Sequence, residues 1–145
     1  MAVSDRGRCW TPAYDVGGES AVARLLGKPY RWGADGTGEA IDCIHLVYQV
    51  RYHLGLWCPP FNPQWYSAST RQVLRELLGH ADRVKGCTYT GDVALTPQDR
   101  WAFGVVWQDG ILFINQATEK VGWCSHDQQS ATPYFFRTRE SYANS

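Results

Sequence analysis

The run from Gly27 to Val50 constrains this chain more than any other stretch. It carries a glycine-rich loop that leads to Asp42, a residue type that commonly caps the N-terminus of a helix. Three apolar residues then recur at the spacing of a buried helical face: Leu46, Val47 and Val50. The pattern predicts a buried helix that begins at Cys43, where unpaired N–H groups and the positive end of the helix dipole favour a thiolate. We therefore expect Cys43 to be a nucleophile.

Length and charge limit the number of domains and the kinds of partner. A chain of 145 residues suits one core, and we predict an irregular N-terminal arm over 1–18 and a single domain over 19–145. The 14 basic residues balance 14 acidic ones, so no overall field would attract nucleic acid. The polar stretch 1–8 has no leader pattern, and no apolar run of about 18 residues is present. We expect no nucleic-acid partner, no membrane insertion and no signal peptide.

The cysteines give no sign of a metal or disulfide framework. Their number, five, is odd, and no two of them form a Cys-x-x-Cys pair. We therefore expect free thiols, no structural metal and no cofactor.

Periodicity predicts helices first and strands afterwards. Helices are expected over 19–26, from Cys43 to about Leu54, and from the Ser69 cap to near Gly79. Short β-prone runs follow at 92–95, 103–107, 111–114, 121–123 and 134–137, and Asp109-Gly110 predicts a two-residue hairpin turn. This order predicts an α+β domain in which the Cys43 helix packs on an antiparallel sheet.

A segment rich in proline and aromatic residues, 56–66, separates the second and third predicted helices. Its prolines exclude a helix or a central strand, so we predict an extended, ordered loop. Its large aromatic residues are Trp57, Phe61, Trp65 and Tyr66. They either form a lid on the core or provide a surface for partner proteins.

The stretch 27–50 resembles the NlpC-type peptidoglycan cysteine peptidases. Their pattern reads Gly-x-Pro-Tyr-x-Trp-Gly, a glycine-rich loop, and then Asp-Cys-Ser-Gly-Leu-Val. The matching residues are Gly27, Pro29, Tyr30, Trp32, Gly33, Asp42, Cys43, Leu46 and Val47. Ile44 and His45 stand in place of Ser-Gly. The resemblance implies a papain-like NlpC-type fold, with Cys43 at the nucleophile position and Tyr30 and Trp32 at substrate-binding positions.

The same resemblance puts the catalytic base at the start of the strand that follows a Gly-Asp motif. Gly91-Asp92 matches the motif, and Ala102 then stands where the histidine is expected. Asn115, after the next strand, falls at the position that orients the base. With Ala102 at the base position, Asn115 has no imidazole ring to orient and no base is present to take the thiol proton. We therefore interpret Cys43 as a vestigial nucleophile.

Four histidines are available as a substitute base. His45 lies about 200° around the predicted helix from Cys43, so the two side chains should point apart. His53 is about 15 Å along the same helix, and His80 ends the next one. His126, in a polar loop after the fourth strand, is the one candidate that remains.

Two functions are compatible with this resemblance, and the sequence leaves enzymatic activity undecided while Ala102 favours its absence. The first is a non-catalytic structural protein of a bacteriophage virion, a tail or baseplate component assembled in the host cytoplasm. Asp42-Cys43 followed by Leu46-Val47-Tyr48, and the Leu54-Gly55-Leu56 helix end, resemble phage tail members of the family. The aromatic segment would then contact other virion proteins. The alternative is an active endopeptidase or amidase that cleaves peptidoglycan stem peptides with Cys43 as its nucleophile.

Overall fold

The computed structural model describes residues 16–96, 102–128 and 133–139. In these ranges the helices are α1 (Val16–Ala23), α2 (Cys43–His53) and α3 (Thr70–Leu78). The strands are β1 (Ala81–Arg83), β2 (Val93–Thr96), β3 (Ala102–Trp107), β4 (Gly110–Asn115), β5 (Lys120–Ser125) and β6 (Tyr134–Thr138). Short 3₁₀ helices cover Pro63–Ser67 and His126–Gln128. The predicted α+β class is confirmed.

The strands form one antiparallel sheet in the order β1-β6-β2-β3-β4-β5. β2 to β5 follow one another as the predicted meander, and β6 returns to lie between β1 and β2. The turn between β3 and β4 is centred on Gln108 and Asp109, with φ of 48° and 63°, and Trp107 pairs with Gly110. The expected Asp109-Gly110 turn is therefore wrong by one residue, because Gly110 already belongs to β4.

The helix boundaries show which local signals were decisive. α2 begins directly after its Asp42 cap, and Gly55, with φ of 73°, follows its C-terminus. α3 lies between the Ser69 cap and Gly79, as predicted. α1 instead begins at Val16, inside the predicted arm 1–18, and ends at Ala23 rather than at residue 26. The rest of that arm, residues 1–15, lies outside the described residues.

Both faces of the sheet carry buried apolar residues, and α2 packs on one of the faces. One face packs with α2 and joins the main apolar core through Val93, Phe103, Val105, Trp107, Leu112, Ile114 and Val121. Ala94, Val106 and Ile111 alternate with these residues and point to the opposite face, where they are also buried. None of the described helices is long and apolar enough to cross a membrane.

Arg51 ties α2 to three other parts of the fold. Its side chain is 2% exposed. Nε and Nη2 donate to the Trp57 carbonyl at 2.8 and 2.6 Å, Nη1 donates to the Gly91 carbonyl at 2.7 Å, and Nη2 also reaches Thr138 Oγ1 at 2.9 Å. A buried guanidinium is costly unless such acceptors surround it, so these bonds fix α2 against the aromatic segment, the Gly-Asp turn and β6.

Replacing Arg51 with Met should lower the free energy of unfolding by about 3 kcal/mol, because buried carbonyl acceptors lose their donors. The measurement is urea unfolding followed by circular dichroism. Arg75→Met, on the exposed surface of α3, is the matched control and should change stability by about 0.5 kcal/mol or less. Equal effects of the two substitutions would contradict this role for Arg51.

Candidate functional site

The N-terminus of α2 is organised around the carboxylate of Asp42, which is 0% exposed. Oδ1 accepts from the backbone N–H of His45 at 2.7 Å, as an N-cap does. Oδ2 accepts from the backbone N–H of Gly33 at 3.1 Å and from the hydroxyl of Tyr66 at 2.6 Å. One buried carboxylate thus joins the glycine-rich loop, the first turn of α2 and the end of the aromatic segment.

The ring of His45 completes this network. Nδ1 lies 3.1 Å from Asp42 Oδ1 and 2.8 Å from the oxygen of Tyr66. Tyr66 has one hydroxyl proton, and it donates that proton to Asp42 Oδ2 at 2.6 Å. The Tyr66 oxygen and Asp42 Oδ1 can therefore only accept from His45, so both contacts require the tautomer in which Nδ1 carries a proton. The Nδ1 side of His45 is therefore committed to Asp42 and Tyr66.

The aromatic segment folds back onto the start of α2. Phe61 packs against the His45 ring at 4.7 Å and Tyr66 stacks parallel to it at 6.1 Å between centroids. Trp65 is 3% exposed, and its Nε1 donates to Glu76 Oε1 at 2.9 Å. Trp57, partly buried, packs against the His80 ring at the far end of the segment. These contacts fit the first of the two alternatives for the aromatic residues, a lid on the core. Trp65 in particular is buried within the chain itself.

Cys43 occupies the first position of α2, as predicted, and its surroundings there oppose ionisation of the thiol. Burial, and to a smaller extent the neighbouring Asp42 charge, raise its pKa to about 11. Backbone hydrogen bonds from Phe103, Cys43 and Ile44 lower the pKa without compensating for these effects. The sequence predicts that the helix N-terminus favours the thiolate, whereas the pKa of this thiol is raised, because the loss of hydration outweighs the helix terminus.

The strand position that the resemblance assigns to the base is next in sequence to a residue that contacts Cys43. Phe103, whose backbone hydrogen-bonds to the thiol, directly follows Ala102 at the start of β3. Gly104 pairs with Phe113, and continuing this register by two residues places Ala102 opposite Asn115. The Asn115 side chain accepts from the backbone N–H groups of Ala117 and Thr118 at 2.8 and 3.3 Å. Asn115 thus holds the turn between β4 and β5.

His126 lies elsewhere. Its ring is 6% exposed and packs against Phe135 at 5.8 Å between centroids. Phe135 pairs with Ala94, on the sheet face opposite to α2, so the sheet stands between His126 and Cys43. The structure does not bring these two residues together, and His126 cannot supply the base for Cys43 in this arrangement.

The two residues at the implied substrate-binding positions line the glycine-rich loop. Tyr30 and Trp32 are 38% and 49% exposed. The Trp32 ring meets the edge of Tyr66 at 4.7 Å between centroids, with the ring planes 84° apart. Trp32 and Tyr66 therefore form one wall beside the N-terminus of α2.

The remaining thiols and metal ligands add little to this site. Cys43, Cys58 and Cys124 are free, whereas Cys87 is disulfide-bonded, so the expectation of free thiols fails at Cys87. Within the described ranges, no group of three or more His, Cys, Asp or Glu side chains is arranged to hold a metal ion.

Sequence reasoning missed Tyr66 and His45 as members of the polar network. Asp42 was identified as a helix cap, and a cap whose side chain is fully buried needs further donors. That requirement could have directed attention to the nearest tyrosine or histidine, but it could not have selected among them.

Comparison with solved structures finds proteins of the NlpC/P60 type. NlpC1 from Trichomonas vaginalis matches with a TM-score of 0.59 and 13% identity, over 88% of this chain and 45% of that chain. A P60 domain of an antigen from M. avium subspecies paratuberculosis matches with a TM-score of 0.48 and 16% identity, over 83% and 91% of the two chains. No family model and no curated protein matches the sequence. The papain-like NlpC-type fold predicted from the sequence is confirmed, and this chain spans less than half of NlpC1.

The state of the Cys43 thiol can be tested by alkylation. Because iodoacetamide reacts with the thiolate, a pKa of about 11 predicts that the alkylation rate at Cys43 keeps rising up to and beyond pH about 10. Peptide mapping by mass spectrometry, without reductant, would give the rate at this residue. A rate that is already constant near neutral pH would show an activated thiolate and contradict the assignment.

Proposed function

We propose that this chain is a non-catalytic NlpC-type protein that serves as a structural component of a bacteriophage tail or baseplate. The observation that carries the non-catalytic part is the environment of Cys43, a partly buried thiol whose pKa is raised to about 11, beside a strand that begins with Ala102. Among the described residues, which include all four histidines, no imidazole hydrogen-bonds to this thiol.

The magnitudes favour an inactive site. A thiol with a pKa of about 11 is ionised in roughly one molecule in 10,000 at pH 7. General acid–base catalysis normally contributes about 100- to 10,000-fold, and without a base near Cys43 both proton transfers are lost. Peptide hydrolysis would therefore lack both an ionised nucleophile and a general acid–base residue.

The structural role in a virion rests on the sequence resemblance. Leu46-Val47-Tyr48 after the cysteine and the Leu54-Gly55-Leu56 helix end resemble phage tail members of the family. In this proposal the chain is assembled in the host cytoplasm and contacts other virion proteins through the accessible parts of Trp57, Phe61 and Tyr66. Trp65 is excluded from that surface because it is buried.

The absence of hydrolysis can be tested with purified peptidoglycan. Release of soluble muropeptides by the wild-type protein should equal that of Cys43→Ala, and both should equal the buffer background. Mass spectrometry of the products also detects single cleavages in stem peptides. Cleavage by the wild-type protein that Cys43→Ala abolishes would overturn the proposal and establish the alternative, a cysteine endopeptidase or amidase.

The virion role has its own test in the phage that encodes this chain. Purified particles should contain the protein in a fixed ratio to known tail proteins, as measured by quantitative mass spectrometry. Cys43→Ala should leave the yield of infectious particles unchanged, whereas deletion of the gene should abolish it. Absence of the protein from particles of full infectivity would contradict the structural role.

A further inference from the structure

The two ring nitrogens of His45 have different surroundings. Nδ1 lies 3.1 Å from Oδ1 of the buried Asp42 and 2.8 Å from the oxygen of Tyr66. Nε2 has no hydrogen-bond partner in the described part of the chain. It does not belong to the buried side-chain atoms that lack a partner, and the His45 side chain is 17% exposed. Nε2 is therefore the nitrogen of this ring that reaches solvent.

The position of the His45 ring is fixed by its neighbours. Phe61 packs against it at 4.7 Å between centroids, and Tyr66 stacks on it at 6.1 Å with the ring planes 9° apart. The backbone N–H of His45 donates to Asp42 Oδ1 at 2.7 Å, the same oxygen that faces Nδ1. One carboxylate thus holds both the main chain and the ring, with Nε2 on the side of the ring away from it.

This arrangement makes Nε2 a potential nucleophile. Because both contacts of Nδ1 require a proton on that atom, the neutral ring carries its lone pair on Nε2. A carboxylate that binds Nδ1–H also stabilises the positive charge that the ring acquires when Nε2 bonds to an electrophile. In His45 and Asp42 the chain therefore has a carboxylate–imidazole pair of the kind that hydrolases use, within one turn of α2.

We propose that His45 is a nucleophile for small activated acyl donors such as aryl esters, with Asp42 positioning its ring. In the first step the Nε2 lone pair attacks the ester carbonyl carbon, and the carbon–oxygen bond to the aryl group breaks with release of aryloxide. Water then attacks the acyl group on Nε2. Its oxygen and one proton complete the carboxylic acid, its other proton goes to the aryloxide, and Nε2 recovers its lone pair.

The substrate class follows from the leaving group and the surroundings. Aryloxide is a weak base that leaves without protonation, whereas an amide nitrogen needs a general acid, so His45 should not cleave peptides. An aryl group also finds an aromatic surface close by, because Trp32 is 49% exposed and meets Tyr66, which stacks on His45. This activity goes beyond the proposed structural role and does not use Cys43.

The wild-type protein contains its own control for the reactivity of His45. His80 is exposed and packs against Trp57, and among the described residues no carboxylate hydrogen-bonds to its ring. Diethyl pyrocarbonate is an acyl donor: Nε2 attacks a carbonyl carbon and ethyl carbonate leaves. At pH about 8, above the ordinary pKa of histidine, peptide mapping after short exposures should show His45 reacting about 10-fold faster than His80. Accessibility alone predicts the reverse order.

Asp42→Asn tests the positioning role of the carboxylate. In this variant the rate at His45 should fall to about that at His80, while the rate at His80, measured in the same sample, should not change. A general loss of structure would instead alter both rates. The comparison of His45 with His80 in the wild-type protein decides the proposal if this variant does not fold by circular dichroism.

Turnover is measured with 4-nitrophenyl acetate, as nitrophenolate released above the spontaneous rate. His45→Gln should lower the rate due to the protein about 10-fold, and the matched control His80→Gln should leave it unchanged. A reaction at His45 no faster than at His80, or ester hydrolysis that folded His45→Gln leaves unchanged, would overturn the proposal. Ester hydrolysis lost in Cys43→Ala and kept in His45→Gln would assign the reaction to the thiol and overturn it as well. Cleavage of peptidoglycan tests the proposed function separately, because it depends on Cys43.

Discussion

The buried carboxylate of Asp42 is the interaction on which the rest of the site depends. A charged group that is fully removed from water must be surrounded by donors, and here they come from Gly33, His45 and Tyr66. Because these donors belong to the glycine-rich loop, to α2 and to the aromatic segment, satisfying one carboxylate brings three segments together. The apolar core then packs beneath them through α2.

The same carboxylate is one of two causes that raise the pKa of the neighbouring Cys43 thiol, the larger being burial. In an active thiol peptidase the charge next to the cysteine is an imidazolium that stabilises the thiolate. Next to Cys43 the charge is negative, and it adds to the effect of burial on the pKa. His45, the nearest histidine in sequence, is engaged by Asp42 and Tyr66 through Nδ1. The polar groups that surround this helix terminus therefore serve its architecture.

Local signals predicted the parts of the fold that depend on neighbouring residues. The Asp42 cap fixed the start of α2, and the Ser69 cap fixed the start of α3. β1 was missed because a strand of three residues is too short to show a period. The β3–β4 turn was misplaced because Gln108 has a left-handed backbone conformation that glutamine rarely adopts. The Tyr66–Asp42 bond spans 24 positions and the Arg51–Gly91 bond spans 40, so neither could be read from spacing. The thiol pKa was mispredicted for the same reason, since burial is a tertiary property.

The central claim is that Asp42, and not Cys43, holds the N-terminus of α2 together. Its most direct test is a comparison of the free energies of unfolding of Asp42→Ala and Cys43→Ala. Losing the cap and leaving buried donors unpaired should cost about 2 to 4 kcal/mol. Removing one sulfur from a partly buried site should cost about 1 kcal/mol. Equal losses, or a larger loss for Cys43→Ala, would contradict the account.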